Sequence, residues 1–190
     1  MPVPAILLAA GASRRLGTPK QVLLWEGETL LHRAARVALE AGFSPVIVVV
    51  GAAAEVSRQA LGSLEVQVVS NPEWEEGMGA SIRAGMGALP QPAEAVLLLV
   101  CDQPALSVEH LQALLHLHEE GQARVIASVY SGVRGVPALV PRSWFAKLQA
   151  LSGDKGARGL LLGPAVSEVL FPEGALDVDT PLDFESFPKK

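Results

Sequence analysis

Cysteine is nearly absent from this sequence, and other hallmarks of particular protein classes are missing as well. The single cysteine, Cys101, cannot form an intrachain disulfide, so the composition gives no support to secretion. There is no polybasic tract, and the net charge of −5 argues against nucleic acid or an anionic membrane as a partner. No apolar run reaches the roughly 18 residues of a membrane-spanning helix, and the apolar N-terminus lacks the basic start of a signal peptide. We therefore expect a cytoplasmic protein that binds neither nucleic acid nor membranes.

Apolar residues are abundant and regularly spaced. They make up 49% of the 190 residues, which is enough to bury a core, and the length fits one domain spanning residues 1–190. Apolar runs rich in β-branched residues alternate with segments of helical spacing, which predicts a three-layer α/β fold with a mainly parallel sheet. We predict strands at 3–8, 46–50, 66–69, 96–100, 125–129, 136–140 and 169–171, and helices at 29–41, 55–61, 81–89, 107–120 and 143–151.

The loop after the first predicted strand, residues 11–20, concentrates glycine and positive charge in the sequence GASRRLGTPK. Ligands bind outside the carboxyl ends of strands in open parallel sheets, so this loop is a candidate site. It matches neither the P-loop pattern GxxxxGK[ST] nor the dinucleotide-binding pattern GxGxxG. Glycine in this loop would let backbone N–H groups form an anion-binding nest, and Arg15 and Lys20 would add positive charge for phosphate. The alternative is an ordinary solvated loop with basic residues on its rim.

A carboxylate follows the predicted strand at 96–100. Asp102 comes directly after an apolar run, where a charge is costly unless it meets solvent, a donor or a cation. One interpretation is a ligand for Mg²⁺, since a hard cation prefers oxygen ligands. The alternative is that Asp102 caps the helix that begins near Ser107 or starts a turn before Pro104. Its neighbour Cys101 is expected to be a packing residue.

Several motifs together resemble a known family. LAAGxSxRLGxPK at 8–20 is similar to the signature loop of nucleotidyltransferases with a glycosyltransferase-A-like fold. NPxWxxGxGxS at 71–81, CDQP at 101–104, GDKGAR at 153–158 and DVDTP at 177–181 resemble motifs of the MobA/MocA-like NTP transferase family, in its molybdenum cofactor cytidylyltransferase branch. The matches run from about residue 4 to 184, and their order and spacing are more specific than any one motif.

The resemblance implies a Rossmann-like nucleotide-diphospho-sugar transferase fold and a set of functional residues. It implies that Arg15 and Lys20 are catalytic, binding the triphosphate and stabilising the pyrophosphate that leaves. It also implies that Asp102 and Asp179 hold Mg²⁺, although Asp179 could instead cap a short helix beginning at Pro181 and Asp177 is an alternative for the same role. Arg14 falls on a variable position and is expected to be a solvated residue. The implied ligand-binding residues are Leu8, Ala9, Ala10, Gly11, Ser13, Asn71, Gly77, Gly79, Ser81, Gly153 and Asp154.

Some of these residues also have structural explanations. Asn71, before Pro72, could form a turn or bind the cytosine or ribose. Gly77, Gly79 and Ser81 could let the backbone approach the nucleotide at a helix N-terminus, or provide loop flexibility and a helix cap. The loop at 153–158 could bind the phosphate or pterin of the acceptor, or be a surface loop. We expect Trp74 to border the pocket.

The reaction implied by the resemblance is transfer of CMP from CTP to a molybdopterin-type molybdenum cofactor, with release of pyrophosphate. The Ala9-Ala10 pair resembles the cytidylyltransferase branch, whereas the guanylyltransferase branch has Ala-Gly-Gly at this place. A molybdoenzyme or its chaperone would then be a partner. The alternatives are GTP as donor, a sugar or alcohol phosphate as acceptor, or a non-catalytic protein that binds nucleotide or cofactor for delivery.

Overall fold

A computed structural model of the chain describes residues 2–121, 124–154, 156–163 and 166–176. The predicted metal ligand Asp179 and the DVDTP motif lie outside these residues. The strands are β1 (Ala5–Ala9), β2 (Leu24–Trp25), β3 (Glu28–Thr29), β4 (Val46–Val50), β5 (Gln67–Ser70), β6 (Ala95–Val100), β7 (Val125–Tyr130), β8 (Val133–Pro141) and β9 (Val166–Leu170). The α-helices are α1 (Leu30–Glu40), α2 (Ala54–Leu61), α3 (Met78–Gly87), α4 (Val108–Glu119) and α5 (Phe145–Gln149).

In the described part of the chain, seven strands form one sheet in the order β5-β4-β1-β6-β8-β7-β9. Strand β8 runs antiparallel to both of its neighbours, while the other pairings in this sheet are parallel. The residues of β1 and β4 are buried without exception, as expected for strands that helices cover on both faces. The predicted α/β class with a mainly parallel sheet is confirmed.

Successive residues of the central strands place their side chains in two separate apolar layers, one on each face of the sheet. Leu7 and its neighbours two residues away pack with α1, α2 and α4 on one face, whereas Ile6 and Leu8 pack with α3 and α5 on the other. This division follows from the two-residue period of a strand. The predicted three-layer arrangement is therefore confirmed. No helix in the described ranges is long and apolar enough to cross a membrane.

The element boundaries differ from the predictions mainly in the second half of the chain. Helix α3 begins at Met78 rather than at residue 81, and α5 is a short helix after a 3₁₀ turn instead of a helix over 143–151. Strand β8 is longer than the predicted segment 136–140, and β9 begins at Val166. The apolar spacing is weakest there, because β8 has half-exposed residues over its first half.

The topology brings two of the candidate segments together. Strands β1 and β6 are parallel neighbours, with Leu8 opposite Val100. Their carboxyl ends therefore open onto the same edge of the sheet. The basic loop at 11–20 follows β1, and the turn that contains Asp102 follows β6.

Candidate active site

A cavity of about 530 Å³ opens at this edge of the sheet. Its wall is formed by the end of β1, the loop that follows it, the first turn of α3, the turn after β6 and the loop at 152–154. Most of the residues predicted from sequence line it: Leu8, Ala9, Ala10, Gly11, Ser13, Arg15, Lys20, Gly77, Ser81, Asp102 and Asp154. Trp74 also lines the cavity, as predicted, and so does Cys101.

Lys20 and Asp102 form an ion pair in this cavity. Lys20 Nζ donates to Asp102 Oδ2 at 2.6 Å, although the two residues are 82 positions apart in the sequence. Both side chains are largely buried, with 17% and 19% of their surface exposed. Helix α4 is capped by Ser107, whose side chain accepts from the backbone N–H of His110, so the structure does not support the alternative of Asp102 as the helix cap. Lys20 and Asp102 thus lie together as the motifs predict, whereas the convergence of Asp179 on the same place stays a prediction.

Ser13 and Gly17, rather than Gly11, give the first loop its shape. Ser13 has a φ of 51° and Gly17 one of 73°, both in the left-handed region. The Ser13 carbonyl accepts from the backbone N–H groups of Leu16 and Gly17, and the Ser13 hydroxyl accepts from the backbone N–H of Lys20 at 3.0 Å. The positive φ of Gly17 fits the expectation that a glycine gives this loop its special backbone conformation. A Cβ on Gly11 would meet nothing within 4 Å, so its small size leaves open space at the cavity instead.

Arg15 and Arg14 both line the cavity from the exposed side of the loop. Arg14 forms a long ion pair with Glu75 at 3.6 Å, and their side chains are 77% and 70% exposed. The prediction that Arg14 is solvated is confirmed. Its position beside the cavity was missed, because a variable motif position carries no signal for this.

Gln21 is a cavity residue that the sequence analysis missed. Its side-chain amide donates from Nε2 to the carbonyls of Ala9 at 2.7 Å and Gly11 at 3.0 Å, and the residue is only 1% exposed. It thus ties the start of the 3₁₀ turn Lys20–Val22 back to the end of β1. The available signal was a glutamine at the start of the apolar run QVLLW, since a buried amide needs partners.

Gly77 and Gly79 allow a second loop to approach α3. A Cβ on Gly77 would meet the Asp154 carboxylate and the Gly153 backbone, and one on Gly79 would lie 2.8 Å from the Ser152 backbone. The backbone N–H of Gly79 donates to the Gly153 carbonyl at 3.0 Å. These glycines therefore permit contact with the loop at 152–154, and Gly77 also lines the cavity. Gly79 and Gly153 are not among the lining residues described.

Asn71 lies behind the cavity wall. It is 3% exposed, its Oδ1 accepts from the backbone N–H of Glu73 at 3.0 Å, and its Nδ2 donates to the hydroxyl of Ser81 at 3.1 Å. These contacts match the turn that was the alternative explanation. Asn71 supports Ser81, which itself lines the cavity, and direct contact of Asn71 with a ligand stays a prediction.

The turn after β6 forms hydrogen bonds with three other segments of the chain. Arg33 on α1 donates from Nε to the Pro104 carbonyl at 2.7 Å. Gln103 donates from Nε2 to the carbonyls of Val136 at 3.0 Å and Gly174 at 3.2 Å. Asp102 is thus carried on a turn that is bonded to α1, to β8 and to the segment after β9.

The donor set fits a hard divalent cation whose coordination is completed by a substrate. Asp102 and Asp154 both line the cavity, and carboxylate oxygens are the ligands that Mg²⁺ and Mn²⁺ prefer. Within the described residues, no group of three or more His, Cys, Asp or Glu side chains could hold a metal by itself. Mg²⁺ is commonly held by one or two carboxylates together with phosphate oxygens, so the arrangement agrees with a metal that binds with a nucleotide.

Comparisons with known proteins agree with the resemblance drawn from the motifs. The chain is 36% identical over 168 residues to nicotine blue oxidoreductase of Paenarthrobacter nicotinovorans, covering 84% of this chain and 81% of the relative. It is 29% identical to the molybdenum cofactor cytidylyltransferase of Escherichia coli, covering 96% and 93%. It is 32% identical to a probable molybdenum cofactor guanylyltransferase of Synechococcus elongatus, covering 96% of each.

Solved structures show the same fold. The crystal structure of Rv0371c from Mycobacterium tuberculosis matches with a TM-score of 0.82 and 32% identity, covering 97% of each chain. A manganese complex of Rv0371c matches with the same TM-score and 28% identity, also covering 97% of each chain. A nucleotidyl transferase from Methanothermobacter thermautotroptrophicus matches with a TM-score of 0.81 and 23% identity, covering 96% of this chain and 94% of that chain, which confirms the predicted nucleotidyltransferase fold. The model of the MobA-like NTP transferase domain matches residues 5–168, and the chain belongs to this family of nucleotidyltransferases, related to the molybdenum cofactor cytidylyl- and guanylyltransferases.

Proposed function

We propose that this protein transfers CMP from CTP to the phosphate of a molybdopterin-type molybdenum cofactor and releases pyrophosphate. The observation that carries the proposal is the meeting of Lys20 and Asp102 at 2.6 Å in the wall of the cavity. A cation and a carboxylate side by side can bind a triphosphate and its divalent metal at one place. The family supports nucleotidyl transfer, and the choice of CTP and of this acceptor is our proposal.

Each charged side chain has a distinct role in this proposal. Lys20 and Arg15 bind the triphosphate and stabilise the negative charge that grows on the leaving pyrophosphate. Asp102 and Asp179 would hold Mg²⁺, with Asp179 assigned from its motif alone. When bound, the metal would offset the repulsion between phosphate oxygens. The first turn of α3 adds the partial positive charge of a helix N-terminus to the cavity wall.

The reaction needs little acid–base chemistry. A terminal phosphate oxygen of the acceptor forms a bond to the α-phosphorus of CTP, while the bond from this phosphorus to the oxygen bridging to the β-phosphate breaks. The electron pair of that bond leaves with pyrophosphate. An ionised phosphate is already a nucleophile, so no side chain has to remove a proton. The chain contributes positioning and charge stabilisation, which dominate catalysis of phosphoryl-type transfer.

The base preference rests on the Ala9-Ala10 pair. Both residues are buried in the cavity wall, with 3% and 5% of their surface exposed. A methyl group in a tight pocket changes discrimination by roughly 1–3 kcal/mol. Relatives that use either base have similar identity to this chain, so CTP is proposed from these two residues and from the cytidylyltransferase motifs. Delivery of the product to a molybdoenzyme or its chaperone is part of the same proposal.

The decisive experiment supplies the protein with molybdenum cofactor, Mg²⁺ and either CTP or GTP. We expect pyrophosphate release with CTP, together with a cytosine dinucleotide form of the cofactor identified by mass spectrometry. Product formation with GTP alone would overturn the base assignment. Pyrophosphate release with a sugar or alcohol phosphate, but not with the cofactor, would overturn the acceptor.

Two further outcomes would contradict nucleotidyl transfer itself. Tight CTP binding without any pyrophosphate release, in the presence of the correct acceptor, would indicate a delivery protein. Redox turnover of nicotine blue, without pyrophosphate release, would indicate the activity for which the relative from Paenarthrobacter nicotinovorans is named.

A further inference from the structure

Each member of the Lys20–Asp102 pair is followed directly by a buried glutamine. Gln21 is 1% exposed and Gln103 is 6% exposed. Each uses its side-chain NH₂ group in the same way, donating to two backbone carbonyls from another part of the chain. The two ends of the ion pair thus share one local arrangement, although they come from unrelated elements.

Gln21 links Lys20 to the end of β1. Its Nε2 reaches the carbonyls of Ala9 and Gly11, which flank the point where the strand becomes the basic loop. Both of those residues line the cavity. The amide therefore fixes the path of the chain on either side of Ala10 and, through the adjacent peptide, the starting point of the Lys20 side chain.

Gln103 links Asp102 to the other half of the sheet. Its Nε2 donates to Val136 in β8 and to Gly174 in the 3₁₀ turn Pro172–Ala175. This turn follows β9 and comes shortly before the DVDTP motif in sequence. One amide therefore joins the residue after Asp102 to two segments that are far away along the chain.

The remaining atoms of these amides argue against a purely stabilising role. Among the described residues, neither Gln21 Oε1 nor Gln103 Oε1 has a hydrogen-bond partner, although both atoms are buried. A buried acceptor without a partner is unfavourable, and an apolar side chain of the same shape would avoid it. What an apolar side chain cannot supply is the pair of directed N–H donors.

We propose that Gln21 and Gln103 are positioning residues that fix Lys20 and Asp102, respectively, for binding of the triphosphate and its metal. This inference rests on the proposed function. It makes a separable claim about each residue, because Gln21 holds the phosphate-binding side of the cavity and Gln103 holds the carboxylate side. Loss of the first should weaken triphosphate binding, and loss of the second should weaken metal binding.

The test for Gln103 measures metal binding directly. Mn²⁺ binding, followed by electron paramagnetic resonance with inorganic triphosphate present, should weaken about tenfold or more in Gln103→Met, as is typical when a residue that supports a metal ligand is removed. The matched control is Ser128→Ala. The Ser128 hydroxyl donates to the Pro137 carbonyl, next to the Val136 carbonyl in β8, but it does not bond the turn that carries Asp102. The control should lower the melting temperature without changing Mn²⁺ affinity.

The test for Gln21 measures binding of inorganic triphosphate by calorimetry. Gln21→Met should weaken this binding about tenfold, since small displacements of a positioning residue have effects of this size or larger. Measured without metal, triphosphate affinity should fall in Gln21→Met and stay at the wild-type value in Gln103→Met, because Gln103 acts on the carboxylate side of the cavity. If either methionine variant fails to fold, the asparagine variant, which keeps the amide but is too short to reach both carbonyls, takes its place and should weaken binding in the same direction.

The outcomes separate this inference from the proposed function. Unchanged Mn²⁺ affinity in Gln103→Met, or unchanged triphosphate affinity in Gln21→Met, would overturn the positioning role of that residue. A parallel weakening of both ligands in Ser128→Ala would also overturn it, because any buried bond would then have the same effect. A wild-type protein that binds triphosphate and Mn²⁺ but releases no pyrophosphate would contradict the proposed function. The binding measurements on Gln21→Met and Gln103→Met would still test the positioning roles of the two glutamines.

Discussion

Two partly buried ion-pair regions of this molecule use similar groups for different purposes. In the cavity, Asp102 receives Lys20 Nζ at 2.6 Å. Beside α1, Glu28 of β3 accepts hydrogen bonds from Nε and Nη2 of Arg36, each at 2.8 Å, and lies 2.6 Å from Nδ1 of His32. The Glu28 carboxylate is thus surrounded by basic side chains from a single helix, whereas Asp102 meets a lysine from a different loop at the wall of an open cavity.

The difference shows how a structural carboxylate can be told from one that is available to a ligand. The hydrogen bond from Arg36 is the largest cause that lowers the pKa of Glu28 to about 2. The cluster joins the β2–β3 hairpin to α1 and leaves Glu28 little capacity for another cation. The Lys20–Asp102 pair borders about 530 Å³ of open space, so both charges can exchange partners when a metal and a phosphate enter.

The largest effect is expected for Lys20→Ala. Loss of the ammonium group should lower the rate of pyrophosphate release by about 10²- to 10³-fold, the range for removing one preorganised charge-stabilising donor. A matched control is Lys147→Ala, since Lys147 lies over the Trp144 ring at 3.7 Å and does not line the cavity. Normal turnover with CTP in Lys20→Ala would contradict a catalytic role for the Lys20–Asp102 ion pair.

The second effect is a loss of stability in acid, expected from a buried histidine that lies outside both ion-pair regions. Burial lowers the pKa of His110 to about 4, and its ring stacks on Phe171 with centroids 4.2 Å apart. The unfolded chain, with a histidine pKa near 6.5, binds a proton that the folded state rejects, so stability is complete above pH 6.5 and falls as the pH drops towards 4.

His110→Gln should abolish most of this acid-induced loss, which amounts to at most about 3 kcal/mol. Urea unfolding at pH 7, 6, 5 and 4.5 measures it, and the wild-type protein should lose stability before any titration of Glu28. Parallel pH profiles for the wild type and His110→Gln would show that His110 does not titrate in this way, and the acid sensitivity would have to be sought elsewhere.

The third effect tests whether the ion-pair cluster around Glu28 stabilises the fold. Because the folded pKa of Glu28 is depressed from 4.5 to about 2, the stability that the cluster provides is present above pH 4.5 and is lost as the pH falls through the window towards 2. Glu28→Gln should destabilise the protein by about 2 kcal/mol at pH 7, allowing for partial solvent screening. Chemical unfolding at pH 7 and pH 3 measures both the loss and its decrease in acid.

The rate of pyrophosphate release by the same variant, Glu28→Gln, distinguishes the two ion-pair regions. Glu28→Gln should release pyrophosphate at the wild-type rate, because Glu28 does not line the cavity. A loss of turnover comparable to that of Lys20→Ala, at temperatures where the variant is folded, would contradict the division into a structural and a functional ion pair.

The sequence predicted the parts of the molecule that follow from strong local patterns. Fully apolar segments such as VIVVV predicted the central strands, and the rule that ligands bind at the carboxyl ends of parallel strands selected the loops after β1 and β6. Lys20 and Asp102 could be connected before the structure because both residues belong to recognisable motifs, whereas the pairing of β1 with β6 is a finding of the structure.

The parts that the sequence did not predict depend on contacts between distant segments. Gln21 and Gln103 donate to backbone carbonyls, and the side-chain pattern does not indicate which carbonyls these are. Asn71 looked equally suited to a turn and to a ligand, and only its bonds to Glu73 and Ser81 favour the turn. Gly79 was expected to admit a nucleotide, whereas the space at its Cα is taken by the backbone of Ser152.

The smallest effect is expected for Arg14→Ala, which separates nearness to the cavity from participation in it. Arg14 and Glu75 are mostly exposed and 3.6 Å apart, and such surface pairs contribute at most about 0.5 kcal/mol. The melting temperature should stay within error, and KM for CTP should rise at most about threefold, with the difference vanishing at high salt. Arg15→Ala, one position along the same loop, should raise KM more, because Arg15 is the residue proposed to bind the triphosphate. A larger rise in KM for Arg14→Ala than for Arg15→Ala would contradict the roles proposed for these two arginines. Arg14, at the variable position of the motif, would then have to be counted among the residues that bind the triphosphate.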